Sequence, residues 1–217
     1  MKNFTVIAID GGAGTGKSTT ANLLSNQFNL LHVDTGSHYR AITAAFLDSD
    51  VTPADAGKSQ NLNKIELNSS ISKMKSTITI NGLTIPQGIL RSDKINSIVS
   101  SYASIPSIRS LLFDYQKSQI ELARSNQFSG LVMEGRDIGS IILPNADLKL
   151  FLTADETIRN ERRELDGESD QISVRDHLDT TRKIAPLTRC IDSVLIDTTE
   201  LTKDEVLSRI SQLINNL

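Results

Sequence analysis

The chain has 217 residues, 38% hydrophobic and 23% charged, with a formal net charge of −3. These values suit one soluble domain with a substantial core, and they exclude a bulk-basic nucleic-acid binder or a protein held at anionic membranes by charge. One cysteine, Cys190, excludes an intrachain disulfide, and His32, His38 and His177 have no metal-ligand spacing.

In chain order, residues 4–10 read as a buried β run. Gly11-Gly12-Ala13-Gly14-Thr15-Gly16-Lys17-Ser18 follows and fits the G-x-x-x-x-G-K-[ST] phosphate-binding loop, after which Thr19-Thr20-Ala21-Asn22-Leu23-Leu24 continues into a helix. The glycines let the backbone turn its N–H groups toward a triphosphate. Lys17 adds a cation near the β- and γ-phosphates, and the Ser18 hydroxyl can ligate Mg²⁺. The helix N-terminus adds its own positive dipole. A chance Gly-rich turn is the bland alternative, and the strand–loop–helix setting argues against it.

Residues 31–34 predict a second strand, with Asp34-Thr35-Gly36-Ser37-His38-Tyr39-Arg40 at its carboxyl end. Residues 62–86 then alternate in β fashion, and Asn81-Gly82 between Ile78-Thr79-Ile80 and Leu83-Thr84-Ile85 predicts a small antiparallel hairpin. Helical patterns at 92–103 and 108–124, separated at Pro106, would complete a lobe with that hairpin. Residues 131–134 predict another strand, followed by Gly135-Arg136-Asp137-Ile138-Gly139, and residues 148–152 and 194–197 two more. The last helix, near 203–217, has Val206, Leu207, Ile210, Leu213 and Ile214 on one stripe.

Six of the twelve arginines fall between 159 and 189, against one of the eleven lysines. A guanidinium fork matches phosphate oxygens and stays charged when desolvated, so the bias points to phosphate recognition in a closed site. Arg159, Arg162 and Arg163 share one helical face, and Arg175, Asp179 and Arg182 share another. The alternative is two solvated helices laced by ordinary ion pairs. Between them, residues 165–170 read as the polar, mobile tip of a lid.

Alternating strands and helices predict an α/β fold with a five-stranded parallel sheet covered on both faces. Loops at the carboxyl ends of such strands converge on one crevice. The expected division is a core of 1–48, 125–158 and 183–217, an insert of about 49–124 and a lid of about 159–182.

The ordered set GGAGTGKST, DTG-x-x-YRA, hairpin insert, IP-x-IR, GRDIG and R-x-x-x-D-x-x-R-x-x-APL runs nearly end to end. It resembles the bacterial cytidylate kinases of the nucleoside monophosphate kinase group, which implies a P-loop, three-layer kinase fold. Ser37-His38 stands where Ala-Met or similar is usual, and the stretch between Arg163 and Arg175 is shorter than the family's. By this resemblance Gly11, Gly12, Ala13, Gly14, Thr15, Gly16, Lys17, Ser18 and Thr19 would hold ATP. Ser18 would touch its Mg²⁺, and Lys17, Arg159, Arg163 and Arg175 would surround the transferring group. Thr35, Arg40, Arg136 and Arg182 would hold the acceptor's phosphate or ribose, Asp179 its sugar hydroxyl, and Ser100, Arg109 and Asp137 cytosine. The implied reaction is phosphoryl transfer from MgATP to CMP or dCMP. The expected setting is a cytoplasmic monomer with no nucleic-acid or membrane partner. A P-loop kinase for another small acceptor, with Asp34 as a base, and a non-catalytic nucleotide switch are the competing readings.

Overall fold

The structure, a computed structural model, describes residues 4–165, 167 and 172–217, without the side chain of Arg175. The expected lid tip, apart from Leu165 and Gly167, lies outside the described residues.

The chain runs through β1 (Thr5–Gly11), α1 (Lys17–Phe28), β2 (Leu30–Asp34) and α2 (Thr35–Asp48), then the short helices α3 (Pro53–Ala56) and α4 (Ser59–Leu62). It continues with β3 (Leu67–Ser72), β4 (Lys75–Ile80), α5 (Gln87–Leu90), α6 (Asp93–Ala103), α7 (Pro106–Ser125) and β5 (Gly130–Gly135). A wide helical turn at Ile138–Ile142 leads to β6 (Leu148–Thr153), α8 (Glu156–Leu165), α9 (Ile172–Thr181), β7 (Val194–Asp197) and α10 (Lys203–Asn215).

The sheet order is β3-β4-β2-β5-β1-β6-β7. β1 pairs in parallel with β5 and β6, β5 with β2, and β6 with β7. Consecutive side chains of β1 point to opposite faces, so its near-continuous apolar run requires cover on both. Ile7 and Ile9 pack with Leu24 of α1 and Ile210 of α10, whereas Ala8 packs with Ala123 of α7 and with Ile138 and Ile142. Each fully buried aliphatic side chain of this kind contributes about 1.5–3 kcal/mol. The α1 face is thereby fixed on the sheet, and the loop at its N-terminus with it.

The sheet has seven strands rather than the expected five. The five anticipated strands all form. The hairpin does not stand apart as a lobe, because β4 joins the sheet beside β2 through His32–Lys75 and Val33–Ser76, and β3 pairs antiparallel outside it. The turn predicted at Asn81-Gly82 does form, with φ of 51° and 77° and mutual Ile80–Leu83 backbone hydrogen bonds of 2.9 Å. It closes a single bridge, however, and the paired hairpin turns instead at Lys73, φ 53°. Local alternation does not encode the long-range pairing with β2, which selects the register.

Candidate active site

The carboxyl ends of β1, β2 and β5 open into one cleft of about 880 Å³, where a doubly wound sheet places its ligand site. Its floor is the phosphate loop. Gly14 and Gly16 adopt φ of 72° and 87°, a left-handed backbone that glycine takes without a steric penalty. A Cβ at Gly14 would also strike the backbone and Cβ of Arg159. No side chain caps α1 at Gly16, so the first-turn N–H groups face the cleft as an anion site. Lys17 Nζ donates to Gly12 O at 2.6 Å, and burial, followed by the charge of Arg136, lowers its pKa to about 7. Arg162 braces the loop, with Nη1 donating to Gly14 O at 3.4 Å and Nη2 to Thr198 O at 2.7 Å.

Ser18 Oγ donates to Glu134 Oε2 at 2.8 Å, and His32 Nε2 lies 2.8 Å from Glu134 Oε1. A hydroxyl and a carboxylate are hard oxygen donors, which fits Mg²⁺. Among the described residues no group of three or more His, Cys, Asp or Glu could hold a metal. Glu134 was not singled out from the sequence. The available signal was a carboxylate closing an otherwise apolar strand.

Opposite the loop, Thr35 opens α2 and donates to Glu134 O at 2.8 Å. Asp34 caps this helix, accepting from Ser37 N at 3.1 Å and Ser37 Oγ at 2.5 Å. Burial alone would raise its pKa. The Ser37 hydrogen bond and the charges of Lys75, His32 and Arg91 outweigh that and hold the carboxyl below its ordinary range. Arg40 donates to Asn96 Oδ1 at 2.8 Å. Ser100, on α6, lines the cleft.

The remaining acceptor-side groups form a chain of alternating charge. Arg109, from α7, pairs with Asp137 Oδ2 and is 7% exposed. Arg182 Nη2 lies 3.3 Å from Asp137 Oδ1, and its Nη1 3.7 Å from Asp179 Oδ1. Asp179 Oδ2 in turn accepts from Arg136 Nε at 2.8 Å. Burial raises the pKa of Asp137 while Arg109 and Arg182 pull it back, and burial lowers that of Arg182. Asp179 therefore does not simply bridge two arginines of its own helix, as the solvated-face alternative requires.

On the lid side, Arg163 lines the cleft. Arg159 is not in that lining; it donates to Ala13 O at 3.1 Å and pairs with Asp176. Asp176 Oδ1 also accepts from Ala13 N at 3.2 Å, so this carboxylate, unanticipated from the sequence, sits on the loop itself. Arg175 falls on α9, with its side chain outside the described residues. Of the expected residues, 13–19, Thr35, Arg40, Ser100, Arg136, Asp137, Arg163, Asp179 and Arg182 line this cleft, whereas Gly11, Gly12, Arg109 and Arg159 are not in its lining. Arg109 reaches it through Asp137 and Arg159 through Ala13.

The cytidylate kinase family model matches residues 7–216. The chain belongs to the cytidylate kinase family. A cytidylate kinase from Clostridium tetani (strain Massachusetts / E88) is 40% identical to it over 97% of this chain and 94% of that one. One from Onion yellows phytoplasma (strain OY-M) is 39% identical over 99% and 97%. Among solved structures, an uncharacterized protein from Eubacterium ventriosum ATCC 27560 matches over the whole of both chains at 14% identity with a TM-score of 0.53, which shows the fold alone. Among the described residues no helix is long and apolar enough to cross a membrane.

Proposed function

We propose that this chain transfers the γ-phosphoryl group of MgATP to CMP or dCMP, giving ADP and CDP or dCDP. The observation that carries the reading is the Arg109–Asp137–Arg182–Asp179–Arg136 series of alternating charge, three members buried and two half-buried, of which Asp137, Arg182, Asp179 and Arg136 line the same cleft as the phosphate loop. The Asp137 carboxylate would accept from the exocyclic amine of cytosine, whereas uracil would oppose it with a carbonyl oxygen. Ser100 and Arg109 would complete base recognition. Thr35, Arg40, Arg136 and Arg182 would hold phosphate or ribose, and Asp179 the sugar hydroxyl.

An acceptor phosphate oxygen attacks the γ-phosphorus, and the bond from that phosphorus to the β-phosphate bridging oxygen breaks. The nucleophile is already anionic near neutral pH, so no base need remove a proton. The chain positions the two phosphates in line and neutralises developing charge through the N–H groups of residues 11–19, Lys17, Arg159, Arg163 and Arg175. Mg²⁺ bound with ATP would be held by the Ser18 hydroxyl and would supply further charge neutralisation.

In this reading residues 49–124 serve the acceptor, residues 159–182 form the lid, and the rest is the core. The chain works as a cytoplasmic monomer without nucleic acid or membrane. Its acidic charge supports the absence of a nucleic-acid or anionic-membrane partner, and its single cysteine a reducing compartment. The role of Asp34 as a helix cap counts against a hydroxyl acceptor that needs it as a base.

Replacing Asp137 by Asn tests the base assignment. The expected result is a rise of about tenfold or more in the CMP KM and a shift of selectivity toward UMP. Equal slowing with both nucleotides would remove Asp137 from base recognition.

A further inference from the structure

Asp10 is the last-but-one residue of β1, immediately before the phosphate loop, and is 4% exposed. Its two carboxylate oxygens are both committed to a neighbouring segment: Oδ1 accepts from Ile138 N at 2.7 Å and Oδ2 from Gly139 N at 2.8 Å. These two residues directly follow Asp137. On the other side of Asp137, Gly135 is paired with Asp10 across the β1–β5 ladder, and Arg136 Nη1 donates to Gly11 O. The stretch carrying Asp137 is therefore tied to the end of β1 both before and after that residue.

We propose that Asp10 is a positioning residue for base recognition, clamping the backbone after Asp137 so that its carboxylate is presented at a fixed distance from the phosphate loop. The proposal rests on the reading of Asp137 as the cytosine acceptor. It adds that the precision of this acceptor is set from β1. A carboxylate is the side chain that can accept from two adjacent N–H groups at once. Burial, opposed by the two backbone hydrogen bonds, pushes the Asp10 carboxyl up to about 6, which still leaves it ionised above neutral pH. An asparagine would turn an NH₂ toward one of the two N–H groups, and the segment would have to shift or leave that donor unpaired.

The experiment is steady-state kinetics of Asp10→Asn with CMP, UMP and ATP, beside the melting temperature. The expected result is a rise of about tenfold to a hundredfold in the CMP KM, a fall in CMP-over-UMP preference by a similar factor, and an ATP KM within about twofold of the parent. An unchanged preference, with or without a lower melting temperature, would make Asp10 merely structural and overturn the proposal. So would an ATP KM that rises in step with that of CMP. Gly139→Ala gives an independent approach to the same clamp should Asp10→Asn not fold. An added Cβ would lie 3.3 Å from Asp10 Oδ2 and 3.2 Å from the flexible Lys149 side chain, at a backbone angle an alanine tolerates. It should reduce the preference in the same direction, and full retention would count against the clamp. Failure of the underlying reading shows separately, as a parent enzyme that does not prefer CMP to UMP.

Discussion

His38 lies on α2, two residues before Arg40, and is 1% exposed. Its ring meets Tyr115 edge-on at 5.1 Å between centroids, and neither ring nitrogen has a hydrogen-bond partner among the described residues. Burial lowers its pKa from 6.5 to about 4; Asp34 pulls it upward and Lys75 pushes it further down. The unfolded chain thus binds this proton more readily than the folded one. The associated stability is intact above about pH 6.5 and is lost as pH falls toward about 4. The full difference corresponds to about 3 kcal/mol, of which about 2 kcal/mol is lost between pH 7.5 and 5. For a chain of this size that amounts to about 4–8 °C in melting temperature. His38→Met removes the titrating ring at similar volume, so chemical denaturation at both pH values should show a flatter acid limb in the variant by about 2 kcal/mol. Other titrating groups, Asp10 among them, are common to both proteins and cancel in the difference. A variant that loses as much stability as the parent over this interval would refute the argument.

Three further outcomes are expected. Triphosphate binding should restore the charge of Lys17, whose pKa is near 7 in the free protein, so ATP binding should take up a proton above that pH and weaken toward pH 9. Calorimetry in two buffers of different ionisation enthalpy reads this directly, and identical heats would contradict it. Arg182→Ala, which strips one partner each from Asp137 and Asp179, should raise the CMP KM and lower kcat/KM by about a hundredfold. Near-parental kinetics would reduce Arg182 to a structural ion pair. Asp179→Ala should impair one of CMP and dCMP more than the other in the same assay, and equal loss for both would remove Asp179 from the sugar.

The elements legible in the sequence were those whose determinants are local. The loop at residues 11–18 carries its phosphate chemistry in consecutive residues, and the apolar runs of β1, β2 and β5 mark strands buried on both faces. β6 and β7 are legible as short apolar runs, although β6 is only half-buried on one face and β7 is largely exposed. The hairpin illustrates what is not local: Asn81-Gly82 makes its turn, yet the paired strands lie one step earlier because β4 finds a partner in β2. Within the site, Arg109 and Asp137 were recognisable by motif, but their direct ion pair joins α7 to the β5 loop and exists only in the fold. Asp10, Glu134 and Asp176 escaped notice for a related reason. Each is a single carboxylate whose partners, on other elements, are brought to it by folding.

The most direct measurement is ADP release with MgATP and CMP, dCMP, UMP, AMP, GMP or shikimate offered separately. Rapid turnover with CMP and dCMP and little with the others is the predicted result. A preference for a purine nucleotide or for shikimate would leave the phosphate loop its role and contradict the acceptor assignment.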